Sequence, residues 1–492
     1  MRIAEMLDRI TGITFEGNPR IEISGISHDS RRVKTGDLFV ALKGEKTDGA
    51  RYVDEAIRRG AVAIASDHGL EPGHGAPVLL VPDARQFLAE SSRWVYRDPA
   101  AEMRLVAITG TNGKTTTAGL VDAIFRGAGI PSCLVGTLGM KIGDRPFPSN
   151  HTTPEASDLT AFLRQARTQG CTHGVLEVSS HALALKRVFG TRFAVGVFSN
   201  LTPEHLDFHH DMESYYQAKR ILFRPEGANS VGASVLNIDD AYGRRLAAEV
   251  HGTVLRYGFD PAAEVHVRSS RTRPDGIELR LSTPWGDLDI ESHLIGRPNL
   301  YNIMAAAAAT LSLEIPLHAV RLGIESLSGV PGRLEPVRGG QPYTVIVDYA
   351  HSPDALEKLL ETVRQLTRGR LIAVFGCGGD RDRGKRPLMG EIATRLSDLV
   401  IATSDNPRSE DPAAILAEIE SGLKRGAAPY RLLPDRREAI RAALSQAAAG
   451  DAVVIAGKGH ESYQVIGAEA LPFDDRAVAG ELLRELRRAR GE

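Results

Sequence analysis

Short apolar runs alternate with amphipathic stretches along this chain, and the alternation changes character twice. From residue 1 to about 102, strand-like runs at 21–23, 38–41, 61–65 and 78–81 are interleaved with helical patterns near 52–59 and 84–96. Asp98-Pro99 reads as a boundary turn, and the Pro/Gly stretch 69–77 as a surface loop. From about 103 to 335, strands at 104–108, 174–178, 194–198 and 233–238 alternate with helices near 115–128, 156–169, 213–223 and 299–312. Strict strand–helix alternation predicts a doubly wound, mostly parallel sheet. The segment 253–294 breaks the rhythm with period-two patterning (Ile277-Glu278-Leu279-Arg280-Leu281), which predicts a small antiparallel insert. After Pro331-Gly332-Arg333 a second alternation begins. Its strands are expected at 344–347, 371–375, 399–403 and 452–456, and its helices near 353–366, 387–396, 412–424 and 435–448. The fold class is therefore α/β in three domains: a small one over 1–102, a central one over 103–335 and a Rossmann-like one over 336–492.

Composition narrows the function. At 42% hydrophobic and 25% charged residues the chain has an ordinary globular make-up. A formal net charge of -2 gives no electrostatic case for a nucleic-acid partner. The 3 cysteines, Cys133, Cys171 and Cys377, match no disulfide or zinc spacing, as in a reducing cytoplasm. Charges interrupt the first residues too early for a signal peptide, and the run Ala305 to Ala309 is too short for a membrane span. A cytoplasmic monomer without membrane insertion is expected.

The most specific stretch is Gly110-Thr111-Asn112-Gly113-Lys114-Thr115-Thr116, between an apolar strand and an amphipathic helix. Glycines let backbone N–H groups approach phosphate oxygens, and the helix N-terminus adds positive potential. Lys114 can neutralise phosphate charge, and the Thr115 hydroxyl can hold Mg²⁺. A general Walker A loop would need glycine at position 108, where this chain has Ile108. The shorter turn is not that of the common switch GTPases.

Ligands in open α/β sheets sit beyond the carboxyl ends of the strands. The polar clusters found there are Glu177-Val178-Ser179-Ser180-His181, Ser199 to Asp207, and Asp348-Tyr349-Ala350-His351. Gly376 to Arg383, Ser404 to Arg408, and Gly457-Lys458-Gly459-His460-Glu461 complete the set. Their distribution over two sheets predicts a cleft between two domains with a nucleotide on one wall.

These clusters, with Asp29-Ser30-Arg31-Arg32, Thr152-Thr153-Pro154, Ala218-Lys219 and Gly332-Arg333-Leu334-Glu335, resemble the Mur ligases over nearly the whole chain. Mur ligases are ATP-dependent, amide-forming enzymes of peptidoglycan assembly. The resemblance implies ATP, two Mg²⁺ ions and a CO₂-derived carbamate on Lys219 as cofactors. Lys114, Glu177, His205 and Lys219 are the implied catalytic residues, with Thr115, Glu177, His205 and the Lys219 carbamate as metal ligands. From its pattern alone, Lys219 reads as a solvated lysine. Gly110 to Thr116, Asn299, Asn302, Arg333, Asp348 and His351 are implied to meet ATP, with helix capping an open alternative for the two asparagines. Ser30, Thr152, Thr153, Ser179 and Arg187 are implied to hold a UDP-N-acetylmuramoyl dipeptide. Arg381, Asp405, Asn406, Pro407, Arg408, Gly457 and Glu461 are implied to bind meso-diaminopimelate. An arginine pairs bidentately with the distal carboxylate that lysine lacks. The alternatives are a lysine-adding relative, another amide ligase such as folylpolyglutamate synthase, and a non-enzymatic P-loop switch.

Overall fold

The computed structural model describes residues 1–44, 47–70, 74–149, 151–224 and 229–489. Three sheets organise them. The N-terminal sheet runs in the order Thr14–Phe15, Val78–Leu80, Ala63–Ser66, Asp37–Val40, Gly25–Ser27. It is parallel apart from its first pair. The predicted strand at 21–23 is not formed: only Glu22 makes an isolated bridge, to Arg2. Ile3 N donates to Ile21 O and Ile23 N to Met1 O, so the chain start takes up this segment, and the paired strand begins two residues later. Within the loop 69–77, residues 71–73 lie outside the described residues; the rest carries no helix or strand before Val78.

The central sheet has 11 strands. Pairing is parallel from Val265–Arg273 through Thr253–Gly258, Ser230–Asn237, Arg192–Phe198, Arg104–Thr109 and His173–Glu177 to Ser132–Gly136. Antiparallel hairpins extend both edges. The insert expected over 253–294 is thus corrected. Thr253–Gly258 is a parallel strand of the main sheet, and only Val265–Ser292 turns antiparallel, as its edge. Period-two patterning marks a half-exposed sheet face and cannot say which sheet a strand joins. Helices cover both faces. On one, Lys114–Gly127 and Arg297–Leu311 share a core with Val106, Ile108, Val195 and Val197. Ala305 to Ala309 are all buried there; the small side chains let that helix lie close. On the other face Phe162, Leu163, Tyr215 and Phe223 pack on Leu105 and Ala107.

The third sheet runs Glu335–Pro336, Thr344–Asp348, Ala452–Ala456, Leu371–Phe375, Leu399–Ala402, Tyr430–Leu432 and is parallel after its first pair. Because Glu335–Pro336 already pairs with Ile346 and Val347, a boundary drawn between 335 and 336 cuts a strand. A separate hairpin, Tyr463–Ile466 with Glu469–Pro472, stands beside this sheet.

Candidate active site

The carboxyl ends of the central and third sheets face each other across a cavity of about 680 Å³. Its walls include Thr111 to Lys114, Thr116, Glu204, His205, Asn299 and Asn302 on one side, and Arg333, Asp348 and His351 on the other.

The phosphate loop is held from two directions. Asn200 and Asn112 exchange hydrogen bonds: Asn112 N donates to Asn200 Oδ1 at 3.0 Å and Asn200 Nδ2 to Asn112 O at 3.1 Å. Gly113 has φ +87°, a left-handed conformation suited to glycine, and a β-carbon there would strike Asn302 Oδ1. Asn302 in turn donates to Asn299 Oδ1 at 2.8 Å, and Asn299 Nδ2 donates to Ile295 O at 2.8 Å. The two amides therefore brace the loop. They do not cap their helix, whose first residue is Arg297 and whose N-cap is Gly296.

Two lysines converge on one carbonyl. Lys114 Nζ donates to Gly110 O at 2.9 Å and Thr111 O at 2.8 Å, and Lys219 Nζ donates to the same Gly110 O at 2.9 Å. The solvated reading of Lys219 is overturned, since the residue is 1% exposed. Its helix, Met212–Arg220, turns it inward together with Tyr215, over whose ring the ammonium sits at 4.6 Å. Burial, then the Lys114 charge, holds its pKa well below the ordinary lysine value. Burial also lowers Lys114, against the opposing pull of Glu204 and Glu177.

Glu177 is buried at the end of its strand and takes three protein donors. Thr115 Oγ1 donates at 2.9 Å, Thr137 N at 2.9 Å and Thr137 Oγ1 at 3.0 Å. His205 opens on the cavity in a left-handed conformation, φ 58°, with its ring 4.8 Å from that of His181. Burial lowers both imidazoles, His181 to about 4. Arg333 lies 4.7 Å over the Tyr349 ring and has no carboxylate partner among the described residues. Asp348 accepts from Leu334 N at 2.7 Å and Ala350 N at 2.8 Å; burial raises its pKa. His351 Nδ1 bonds Tyr349 O at 2.9 Å, and burial lowers its pKa.

The residues expected at the muramoyl dipeptide divide. Thr152 and Ser179 line the cavity. Thr153 Oγ1 donates to Glu177 O at 2.7 Å and fixes the strand end. Arg187 already has its anion: Glu155 Oε1 accepts from Nε at 2.8 Å, while Nη1 donates to Thr153 O at 3.0 Å. Ser30 stands away from the cavity, its hydroxyl on Glu55 Oε2 at 2.7 Å.

At the third sheet, Arg408 and Arg381 meet around Gly378. Arg408 Nη1 donates to Gly379 O at 2.7 Å. Its Nε and Nη2 donors have no partner among the described residues, and Arg381 is exposed. Glu461 Oε2 accepts from Asn406 Nδ2 at 2.8 Å and Lys458 Nζ at 3.3 Å, which leaves Oε1 open. Asp405 Oδ1 accepts from Asn406 N at 2.7 Å; Gly457, at φ +117°, lets the Asp405 carboxylate come close. Two fully buried arginines sit beneath, each paired with carboxylates. Arg386 joins Gly378 O to Glu410 and Glu418. Arg436 pairs with Asp475 at 2.7 Å, both 0% exposed, and donates to Ser404 O and Ala456 O, the ends of the strands that carry the Asp405 and Gly457 loops.

Sequence reasoning missed Thr137 and Asp354, and named Asn200 and Glu204 only as members of the cluster Ser199 to Asp207, without a role. Asp354 Oδ2 accepts from Asn112 Nδ2 at 3.3 Å, Thr202 Oγ1 at 2.8 Å and Lys358 Nζ at 2.9 Å, so it ties the third domain to the phosphate loop. The polar content of the stretch Ser199 to Asp207 was the only signal for the residues in it.

Three family models match in order. The Mur ligase family catalytic domain covers residues 22–96, the Mur ligase middle domain 108–310, and the Mur ligase glutamate ligase domain 332–459. UDP-N-acetylmuramoyl-L-alanyl-D-glutamate--2,6-diaminopimelate ligase from Gloeobacter violaceus is 48% identical over 100% of this chain and 99% of its own length. The protein of that name from Geobacter metallireducens is 45% identical, covering 99% of each chain. A solved structure of a ligase with that name superposes with a TM-score of 0.70 at 35% identity over 99% of both chains.

Proposed function

The chain belongs to the Mur ligase family, and from that premise we propose that it joins meso-2,6-diaminopimelate to UDP-N-acetylmuramoyl-L-alanyl-D-glutamate, converting ATP to ADP and phosphate. The observation that carries the substrate reading is the pairing of a free guanidinium edge on Arg408 with a free carboxylate oxygen on Glu461. The distal end of diaminopimelate bears one carboxylate and one ammonium, and each would find its counterpart there. A lysine substrate would leave the guanidinium facing no anion.

A carboxylate is a poor electrophile because oxide does not leave. Transfer of the ATP γ-phosphoryl to it gives an acyl phosphate, the amine then attacks the carbonyl, and phosphate departs with the amide formed. Lys114 and Arg333, reaching the cavity from opposite walls, neutralise the oxygens gathered there. The braced phosphate loop fixes where the γ-phosphoryl lies. A low amine pKa at Lys219 supplies the neutral nitrogen that adds CO₂.

Thr115, Glu177, His205 and a carbamylated Lys219 would hold Mg²⁺. One carboxylate, a hydroxyl and an imidazole beside the phosphate loop suit a cation that draws its other oxygens from nucleotide. When bound, Mg²⁺ supplies charge neutralisation at the phosphoryl oxygens. The domain roles follow the three sheets: muramoyl nucleotide on the N-terminal one, ATP on the central one, amino acid on the third, which begins at Glu335. We read the enzyme as a cytoplasmic monomer. Among the described residues no helix is long and apolar enough to cross a membrane.

Phosphate release measured with diaminopimelate, lysine and ornithine, each with and without the dipeptide, tests the proposal. Turnover requiring both dipeptide and diaminopimelate is expected. ATP hydrolysis indifferent to either would point to a nucleotide switch.

A further inference from the structure

The hairpin beside the third sheet is bonded to the loop that carries Arg408. Arg408 N donates to Val465 O at 3.0 Å, and Gly467 N donates to Arg408 O at 2.7 Å. Val465 N donates to Asn406 Oδ1 at 2.9 Å, and Gln464 Nε2 to Asp405 O at 2.7 Å. The strand therefore binds the loop almost as a third member of the hairpin. It also holds Arg408 at φ 52°, a conformation that a residue with a β-carbon keeps only when its surroundings enforce it.

Asn406 is the junction. Its Oδ1 accepts from Val465 N and from Lys458 Nζ at 3.1 Å, and its Nδ2 donates to Glu461 Oε2. That pattern fixes the amide orientation. Lys458 is 0% exposed, and its ammonium bonds Asn406 Oδ1 and Glu461 Oε2 while lying 5.8 Å over the Tyr463 ring. An ammonium buried on a carboxylate and an amide oxygen is held in direction as well as charge. Arg408 is thus aimed by the hairpin, Glu461 by Lys458, and the two are locked together through Asn406.

We propose that Lys458 and Gln464 are positioning residues for substrate choice: they fix the spacing between the Arg408 guanidinium and the Glu461 carboxylate, and so select an amino acid whose remote end is zwitterionic. This rests on the diaminopimelate reading above. The frame reads a carboxylate and an ammonium on one carbon. A substrate with only one of the two satisfies only half of it.

Steady-state kinetics on the full-length enzyme test this with Gln464→Glu, which keeps the side-chain shape and removes the donor, and with Lys458→Met. Both are expected to raise KM for diaminopimelate about ten-fold or more: Gln464→Glu loses its bond to Asp405 O, and Lys458→Met the two ammonium bonds to Asn406 and Glu461. The kcat and the KM for ATP should stay near wild type, and preference over lysine should fall. Lys458→Arg should recover part of the loss. Should Lys458→Met fail to fold, Gln464→Glu carries the test, with thermal melting checked alongside. A wild type that prefers diaminopimelate while Gln464→Glu keeps its KM and selectivity overturns the positioning role alone. A wild type that uses lysine equally well removes the reading beneath it.

Discussion

Lys219 shows what a single side chain can hide. Its neighbours in sequence, Gln217 and Arg220, are polar, and a charged side chain reads as solvated, although Tyr215, Tyr216, Leu222 and Phe223, three and four residues away, put position 219 on the apolar face. Burial decides the matter, and burial is a property of what packs against the helix. Lys219→Ala should be nearly inactive, and small carboxylates added to the assay should restore part of the activity by replacing the missing anion. Undiminished turnover of the alanine variant would refute a role for the carbamate. Arg408 was singled out only through the family resemblance; its unpartnered edge was not legible in the sequence, because that depends on which donors Gly379 takes up. Removing a bidentate partner costs about 2–5 kcal/mol of binding, so Arg408→Ala should raise the diaminopimelate KM tens-fold or more while the KM for ATP barely moves.

Among elements, those with long, strong periods were read nearly to the residue. Pro353–Leu366 and Leu371–Phe375 lie where apolar spacing puts them. The 15-residue helix Asp475–Ala489 went unread although Val478, Ala479, Leu482 and Leu483 give it a helical period, and so did the short strands Gly25–Ser27, Tyr463–Ile466 and Glu469–Pro472. Three or four residues hold too little pattern to announce a strand, and tertiary pairing alone defines them. The last helix matters beyond its packing. Through Asp475 it holds Arg436, and through Arg436 the two strand ends under the Asp405 and Gly457 loops. Asp475→Ala leaves a buried, unpaired guanidinium, which should cost about 3–5 kcal/mol of stability. Denaturant unfolding should show it, and Asp475→Ala with Arg436→Met should recover most of it. Equal destabilisation in both variants would mean that the ion pair was not the cause.

Across the whole molecule, the division into three α/β units was readable from the changes in rhythm. The way two of them touch was not. One oxygen of Asp354 receives donors from its own helix, from Thr202 and from the phosphate loop, and no spacing rule announces a contact between residues 112 and 354. Asp354→Ala should loosen the closed arrangement by about 1.5–3 kcal/mol, the value of hydrogen bonds to a charged group. Small-angle scattering should then show a larger radius of gyration, with kcat lowered and melting little changed. Identical scattering curves would end the idea that this carboxylate ties the domains.

The same contact gives the protein a way to age. Asparagine side chains cyclise through the nitrogen of the next residue and reopen as aspartate or isoaspartate, among the commonest spontaneous lesions of stored protein. Asn406 is guarded, because Pro407 follows and its nitrogen carries no hydrogen. Asn112 is followed by Gly113, the least hindered neighbour. Conversion there would replace the amide that meets Asp354 with a second carboxylate, turning a clasp into a repulsion at the mouth of the nucleotide site. Preparations kept warm at alkaline pH should lose activity in step with deamidation of the Asn112 peptide, followed by mass spectrometry, while Asn406 stays intact.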